Sequence, residues 1–363
     1  MITDKRYFLP FVLLTFLLLV ACEPLAPEKT PQYVVVTGSS PQPISSPLAS
    51  PPLGGAVPAG GVVGTIPPVI SPAPTVESVT GGMVSTPVPS ATPLPPPTAI
   101  PSATAFACAQ VAGQIIRSSL SSTISGQEVN YQVYLPPCFY ESFRRYPYVV
   151  LLHGTGYDET MWEELDAPAV MDLGVSKNTL APFVLVMVDG GELAELNDQP
   201  DGASYESIIL QEVIPAVERD FCLWGSREGR SIGGISRGGY WAFSIALRHP
   251  EMFSAVGGHS PHFENGNSQP ETNPLDLAGR VNLDKFPLRI YMDNSASDYV
   301  SANVIHMSDI LLQNGIEHKY LINPTGDHTM EYWASHVGEY LSFYGETRPY
   351  DVSALPSCLE PSP

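Results

Sequence analysis

The chain has 363 residues, 44% of them hydrophobic, with 38 prolines, 30 glycines and a formal net charge of −20. That length admits one large domain or two small ones, and the negative charge argues against nucleic acids and anionic polymers as partners while leaving neutral glycans, esters and small molecules open. Of the charged residues only Asp4, Lys5, Arg6, Glu23, Glu28, Lys29 and Glu77 precede residue 106, so the acidity belongs to the C-terminal part.

Lys5 and Arg6 precede the apolar run "FLPFVLLTFLLLVAC". A charged start and a short apolar core predict an export signal over residues 1–21, and the run is too short to serve comfortably as a permanent membrane span. It ends in "LVAC", Leu19 to Cys22, which resembles the lipobox of bacterial lipoproteins. In those proteins the cysteine becomes the lipidated first residue. The resemblance implies lipidation at Cys22 and an exported, membrane-anchored protein held by acyl burial. Residues 22–105 follow, rich in Pro, Ser and Thr, with Tyr33 as the only aromatic between Glu23 and Thr104. Such a composition buries too little surface to offset its conformational entropy, and its prolines break candidate strands. The expectation is a disordered tether of polyproline II character, reaching about 50 Å as a coil.

Residues 106–363 have a globular composition suited to one domain. "QIIRSSL" and "VNYQVYLP" predict an antiparallel pair turning at Ser125-Gly126. Six short apolar runs follow: "YVVLLHG" (148–154), "FVLVMVDG" (183–190), "RSIGGIS" (230–236), "FSAVGGHS" (253–260), "LRIYMDN" (288–294) and "HKYLINP" (318–324). Runs of this kind fit strands buried on both faces. Helical patterns lie between them. In "SYESIILQEVIPAVERDF" the residues Ile209, Val213 and Val217 share a face, with Pro215 expected to kink the helix. "GGYWAFSIALRHP", "VSANVIHMSDILLQNG" with Gly315 as a cap, and "MEYWASHVGEYLSFYG" complete the series. Alternation of strand and helix predicts an α/β fold: a mostly parallel central sheet with helices on both faces.

Apart from Cys22 the cysteines are Cys108, Cys138, Cys222 and Cys358. An even number in an exported chain predicts two disulfides. Cys108 precedes the first strand of the antiparallel pair and Cys138 follows the second, ends that lie side by side. The expected pairing is Cys108–Cys138 and Cys222–Cys358.

Gly234-Ile235-Ser236-Arg237-Gly238 is a G-x-S-x-G placed after a strand pattern and before a helix pattern. That context is the nucleophile elbow, where a turn too sharp for large flanking side chains projects a serine from the strand end. A serine hydroxyl needs a base, and the base needs an orienting carboxylate. In this kind of fold they follow the serine in the order acid, then histidine. Asp298 in "SASDYV" and His328 in "TGDHTMEYW" lie after strand patterns, at the sheet edge where such sites form. Asp293, at the end of "LRIYMDN", is the competing acid, and a helix cap is the alternative role for Asp298. The oxyanion of acyl transfer needs backbone donors. The N–H groups of Arg237 and of Thr155, in the "HGTG" loop, are the candidates, with His153 shaping that loop.

"YPYVVLLHGTGYDETMW", "SIGGISRGGYWAFSIALRHPEMF", "DNSASDYV" and "GDHTMEYW" resemble the putative-esterase family of α/β-hydrolases, over roughly Gln127 to Tyr344. That family includes feruloyl and acetylxylan esterases, S-formylglutathione hydrolases, siderophore esterases and mycolyltransferases. The resemblance implies Ser236 as nucleophile, Asp298 as acid and His328 as base, with no cofactor. Two features depart from the pattern. Arg237 stands where methionine or glutamine is frequent, and His259 and His262 follow a strand where Ser-Gly is frequent. His259, His262, Trp162 and Tyr240 are the candidate substrate-pocket residues. No metal site is expected, since two histidines lack a carboxylate cluster to complete one. The expected substrate is a small-molecule or glycan-linked ester, including acyl and feruloyl esters. Acyl transfer of the mycolyltransferase type and a non-catalytic glycan binder are the rival readings. The acyl group, the alcohol and the oligomeric state are not set by the sequence.

Overall fold

The computed structural model describes residues 109–196, 202–264 and 268–360, and the backbone of residues 32–36. Its strands are β1 (Gln32–Val36), β2 (Gln114–Ser121), β3 (Glu128–Leu135), β4 (Tyr148–Leu152), β5 (Val184–Val188), β6 (Arg230–Ile235), β7 (Ala255–His259), β8 (Arg289–Ser295) and β9 (His318–Asn323). They form one sheet in the order β1-β9-β8-β7-β6-β4-β5-β3-β2. Every pairing from β5 through β4, β6, β7 and β8 to β9 is parallel. The hairpin β2–β3 adds antiparallel strands at one edge and β1 adds one at the other.

The apolar runs form strands because both of their faces find a cover. β4 and β5 are buried along their whole length. Successive side chains leave a strand on opposite sides, and the two cores divide accordingly. Val150 and Leu152 join Ile232, Val256, Tyr240 and Phe243 on one side. Val149 and Leu151 join Leu185, Met187, Trp162 and Tyr340 on the other. Helices Arg237–Arg248 and Ser301–Gln313 supply the first core, and Ala167–Ser176 and Met330–Gly345 the second. The turn between β2 and β3 carries Gly126 at φ 72°, a backbone state glycine adopts without penalty.

Three local features refine the expectations. The segment Gln32–Val36, "QYVVV", lies within the expected disordered tether yet forms β1, with Gln32 opposite Ile322 and Val36 opposite His318. It is a proline-free, β-branched run long enough to pair with the edge of β9. The other residues of the signal and tether, Cys22 among them, lie outside the described residues. Around Pro215 the helix does not simply bend. It runs Tyr205–Ile208, widens to a π turn over Ile209–Val213, and resumes over Ile214–Asp220. The wider turn accommodates a residue that has no N–H to give and whose ring crowds the preceding carbonyls. Cys222 and Cys358 are disulfide-bonded. Cys138 is a disulfide cysteine as well, and its expected partner Cys108 lies outside the described residues.

The Cys222–Cys358 bridge closes a loop of 136 residues and ties the C-terminal segment to the strand region around Tyr146, whose N–H donates to the Cys222 carbonyl. On the chain-entropy account a loop of this size stabilises by about 4–5 kcal/mol. The double variant Cys222→Ser/Cys358→Ser is therefore expected to unfold at markedly lower denaturant concentration. Equal midpoints for the two proteins in urea, with the bridge intact in the wild type, would contradict this.

Candidate active site

β6 ends at Ile235 and helix Arg237–Arg248 begins at once, so Ser236 must turn the chain alone. It does so at φ 54° and ψ −117°, a backbone state that an L-residue adopts only under constraint. The glycines on either side make the turn possible. A Cβ on Gly234 would lie 2.3 Å from the Gly238 carbonyl carbon, and one on Gly238 would lie 2.3 Å from the Leu152 carbonyl oxygen. Backbone thus packs on backbone, and the Ser236 N–H is anchored to the His259 carbonyl at 3.0 Å.

Three loops at the C-terminal edge of the sheet converge on this serine. His328, after β9, places Nε2 2.8 Å from Ser236 Oγ. Its Nδ1 lies 3.0 and 3.1 Å from the two carboxylate oxygens of Asp298, after β8. Burial raises the Asp298 pKa, but hydrogen bonding to His328, the nearby Ser260 hydroxyl and the Val300 N–H outweigh it and hold the carboxyl below its ordinary value. The Val300 N–H donates to Asp298 Oδ1 at 3.1 Å, just before helix Ser301–Gln313, so the same carboxylate also steadies that helix start. The His328 ring lies between Trp333, edge-on at 4.9 Å, and Tyr299 at 4.5 Å. The sequence reading passed over Tyr299. Its only signal there was adjacency to Asp298.

The "HGTG" loop abuts the serine: a Cβ on Gly154 would come 3.4 Å from that of Ser236. His153 braces this loop. Its Nε2 accepts from the Gly190 N–H at 2.8 Å, which leaves Nδ1 as the donor to the Gly154 carbonyl, also at 2.8 Å. Arg237 is the first residue of its helix, where N–H groups have no intrahelical acceptor. Its side chain turns away from the serine. Nε donates to the Ala194 carbonyl at 2.9 Å, Nη1 pairs with Glu264 at 3.2 Å, and the guanidinium lies 4.3 Å above the Tyr240 ring.

The expected pocket residues divide. His262 is half-buried beside the site, its ring 5.8 Å from Tyr299 and its N–H bonded to the Ser236 carbonyl at 2.9 Å. Burial lowers its pKa. His259, Trp162 and Tyr240 are core residues, which corrects their assignment to the pocket. Tyr240 packs in the core under Arg237, and the Trp162 indole donates to the Leu152 carbonyl at 3.3 Å. The last residues of β7 alternate across the sheet, so His259 points into the interior and not toward the serine. There its Nδ1 lies 3.1 Å from Asp293 and its Nε2 3.0 Å from the Tyr344 hydroxyl. Tyr332 and Tyr340 donate to the other Asp293 oxygen at 2.8 and 3.1 Å. Burial lowers the His259 pKa, with Asp293 acting against it. The ring is therefore a neutral donor through Nδ1 and an acceptor through Nε2. Asp293 closes a buried polar network, and Asp298 faces His328. Among the described residues no three His, Cys, Asp or Glu side chains gather as a metal site.

The two carboxylates give opposite expectations. Asp293→Asn sets an amide N–H group against the His259 and tyrosine donors in the core and should cost about 1–3 kcal/mol of stability. Asp298→Asn should leave the thermal midpoint nearly unchanged and, if His328 serves as a base, lower kcat by about 10²–10⁴. Measuring both quantities on both variants separates the roles. An inactive but fully stable Asp293→Asn would reverse the assignment.

Residues 121–337 match the family model described as putative esterase. The chain is 29% identical over 157 residues to an endo-1,4-beta-xylanase/feruloyl esterase of Xylanibacter ruminicola, covering 40% of this chain and 21% of that protein. The chain thus spans about a fifth of the length of that curated relative. A ferulic acid esterase superposes with TM-score 0.59 at 22% identity, covering 66% of this chain and 99% of the other. Fluorophosphonate-binding serine hydrolase F of Staphylococcus aureus superposes with TM-score 0.54 at 22% identity, covering 64% and 98%. At these identities the superpositions establish the α/β-hydrolase fold. The family match, which extends over more than half of the chain and spans the elbow, the acid loop and the histidine loop, shows that this protein belongs to the putative-esterase family.

Proposed function

We propose that this protein is a serine esterase that hydrolyses carboxylic esters through an acyl-enzyme on Ser236. The observation that carries the reading is the relay from Ser236 Oγ to His328 Nε2 at 2.8 Å and from His328 Nδ1 to Asp298 at 3.0 Å, set on a strand–helix elbow. As the hydroxyl attacks the ester carbonyl carbon, its proton passes to His328 Nε2 while Asp298 holds Nδ1–H and balances the imidazolium. The tetrahedral oxyanion is met by the N–H groups of Arg237 and Thr155, each such donor contributing about 10²–10³ in rate. His328 returns the proton to the alcohol oxygen as the C–O bond breaks. Water then repeats the sequence on the acyl-enzyme and restores Ser236. No cofactor enters this scheme. The names of the relatives support glycan-linked acyl or feruloyl esters as substrates.

Within the same proposal the protein is exported and lipidated at Cys22, so that hydrolysis occurs outside the cytoplasm on a membrane-tethered domain. The basis is the apolar run ending in "LVAC". Wild-type protein should partition with membranes and Cys22→Ser should not. Recovery of the wild type as unlipidated soluble protein would refute the anchor.

Ser236→Ala is expected to be folded, to lose turnover of short aryl esters almost completely, and to lose labelling by a fluorophosphonate probe. Triad members act as a unit, so one deletion suffices. Wild-type turnover rates in the alanine variant would sink the mechanism. Hydrolysis and acyl transfer are separated by the product mixture with and without added glycerol or sugar.

A further inference from the structure

Tyr299 directly follows the carboxylate that holds His328, yet it is 67% exposed while most aromatics around the site are buried. Its ring lies 4.5 Å from the His328 ring and 5.8 Å from that of His262. Burial raises the pKa of its phenol. His328 also meets Trp333, which is only 3% exposed. The imidazole therefore has one buried aromatic neighbour, Trp333, and one exposed one, Tyr299.

The chemistry gives that exposed neighbour a meaning. His328 Nε2 must hand a proton to the departing alcohol oxygen, so the alcohol has to lie next to the imidazole. In the reading above the oxyanion lies toward the Arg237 and Thr155 N–H groups. An exposed side chain packed on the His328 ring therefore stands beside the departing alcohol. Tyr299 is that side chain, with the His262 ring edge-on to it.

We infer that Tyr299 is the residue that selects the leaving alcohol: its ring is the wall on which a flat-faced alcohol, an aryl or a sugar ring, rests while His328 protonates its oxygen. This rests on the esterase reading above, because it requires His328 to be the proton donor. An alkyl alcohol such as ethanol has too little surface to gain from the wall. A ring gains dispersion and stacking contact, of a size that corresponds to roughly 3–10-fold in binding.

The test holds the acyl group constant and varies the alcohol. The acyl group is whichever of acetyl, butyryl and feruloyl the wild type turns over fastest. The alcohols are ethanol, phenol and a methyl xyloside. Comparing wild type with variant for each ester cancels the intrinsic leaving ability of the alcohol. Tyr299→Ala is expected to raise KM for the phenyl and xyloside esters by roughly 3–10-fold, to change KM for the ethyl ester by less than about twofold, and to leave kcat within about threefold throughout. Tyr299→Phe should keep the wild-type pattern, since the ring and not the hydroxyl is the wall. An equal loss for all three alcohols would overturn the inference and make Tyr299 a residue that only orients His328. Loss of the ring preference in Tyr299→Phe would also overturn it, in favour of the hydroxyl. Fluorophosphonate titration distinguishes the two levels. Failure of the wild type to label removes the esterase reading, whereas full labelling without any dependence on the alcohol removes only the selection by Tyr299.

Discussion

Everything at the site depends on a backbone contact, the packing of Gly238 onto the end of β4 at the Leu152 carbonyl. It allows helix Arg237–Arg248 to start within one residue of β6, and that abrupt start forces Ser236 to φ 54°. The strain is supported on every side. The Ser236 N–H is tied to β7 at His259, and its carbonyl accepts from Tyr240 and from His262. A larger residue at 234 or 238 would separate the helix from the strand and lower the serine back into the sheet. The parallel order then completes the arrangement. Because β4, β6, β7, β8 and β9 are consecutive neighbours in the sheet and point the same way, the loops carrying Gly154, Ser236, Asp298 and His328 all leave from one edge. No long-range adjustment is needed to bring these side chains together beyond strand register.

Much of this was legible in the sequence, and the reason is the regularity of the physics involved. Apolar runs covered on both faces read as continuous stretches, so the strands after the hairpin stand out. The elbow announces itself through glycines that flank a serine between a strand pattern and a helix pattern. Side-chain direction at strand ends was not legible. His259 lies next to a motif loop in the sequence, but a strand's last residues still alternate, and it turned into the core; Trp162, in the short helix Met161–Glu164, turned into the core as well. The same rule separates Asp293 from Asp298. Asp293 is the continuation of β8 and is fixed by the pleat among tyrosines, while Asp298 is released by the turn after Ser295 and can reach His328. Tyr299 escaped notice for the opposite reason: its value lies in exposure, which composition does not reveal.

The strand β1 teaches a narrower lesson. Proline content averaged over residues 22–105 argues for a tether, yet a five-residue window without proline and rich in valine is enough for edge pairing. Average composition decides whether a segment can build a core. It does not decide whether a short piece can borrow an existing sheet edge, because edge pairing uses backbone donors and acceptors that are already aligned.

Arg237 shows how a departure from the family pattern can be absorbed without entering the chemistry. The first residue of a helix has an N–H without an intrahelical acceptor, whatever its side chain. Here the side chain is long, charged and 7% exposed, so it must find partners away from the serine. It finds three: the Ala194 carbonyl, Glu264 and the face of Tyr240. Trp241 donates to the same Ala194 carbonyl at 2.8 Å. Two consecutive turns of the nucleophile helix thereby hold the short helix Gly191–Leu196, whose preceding residue Gly190 in turn donates to His153. The chain of contacts runs from Arg237 through Ala194 and Gly190 to His153 and ends at the Gly154 carbonyl, one residue from Thr155. The guanidinium thus takes part, through these contacts, in bracing the loop that abuts Ser236.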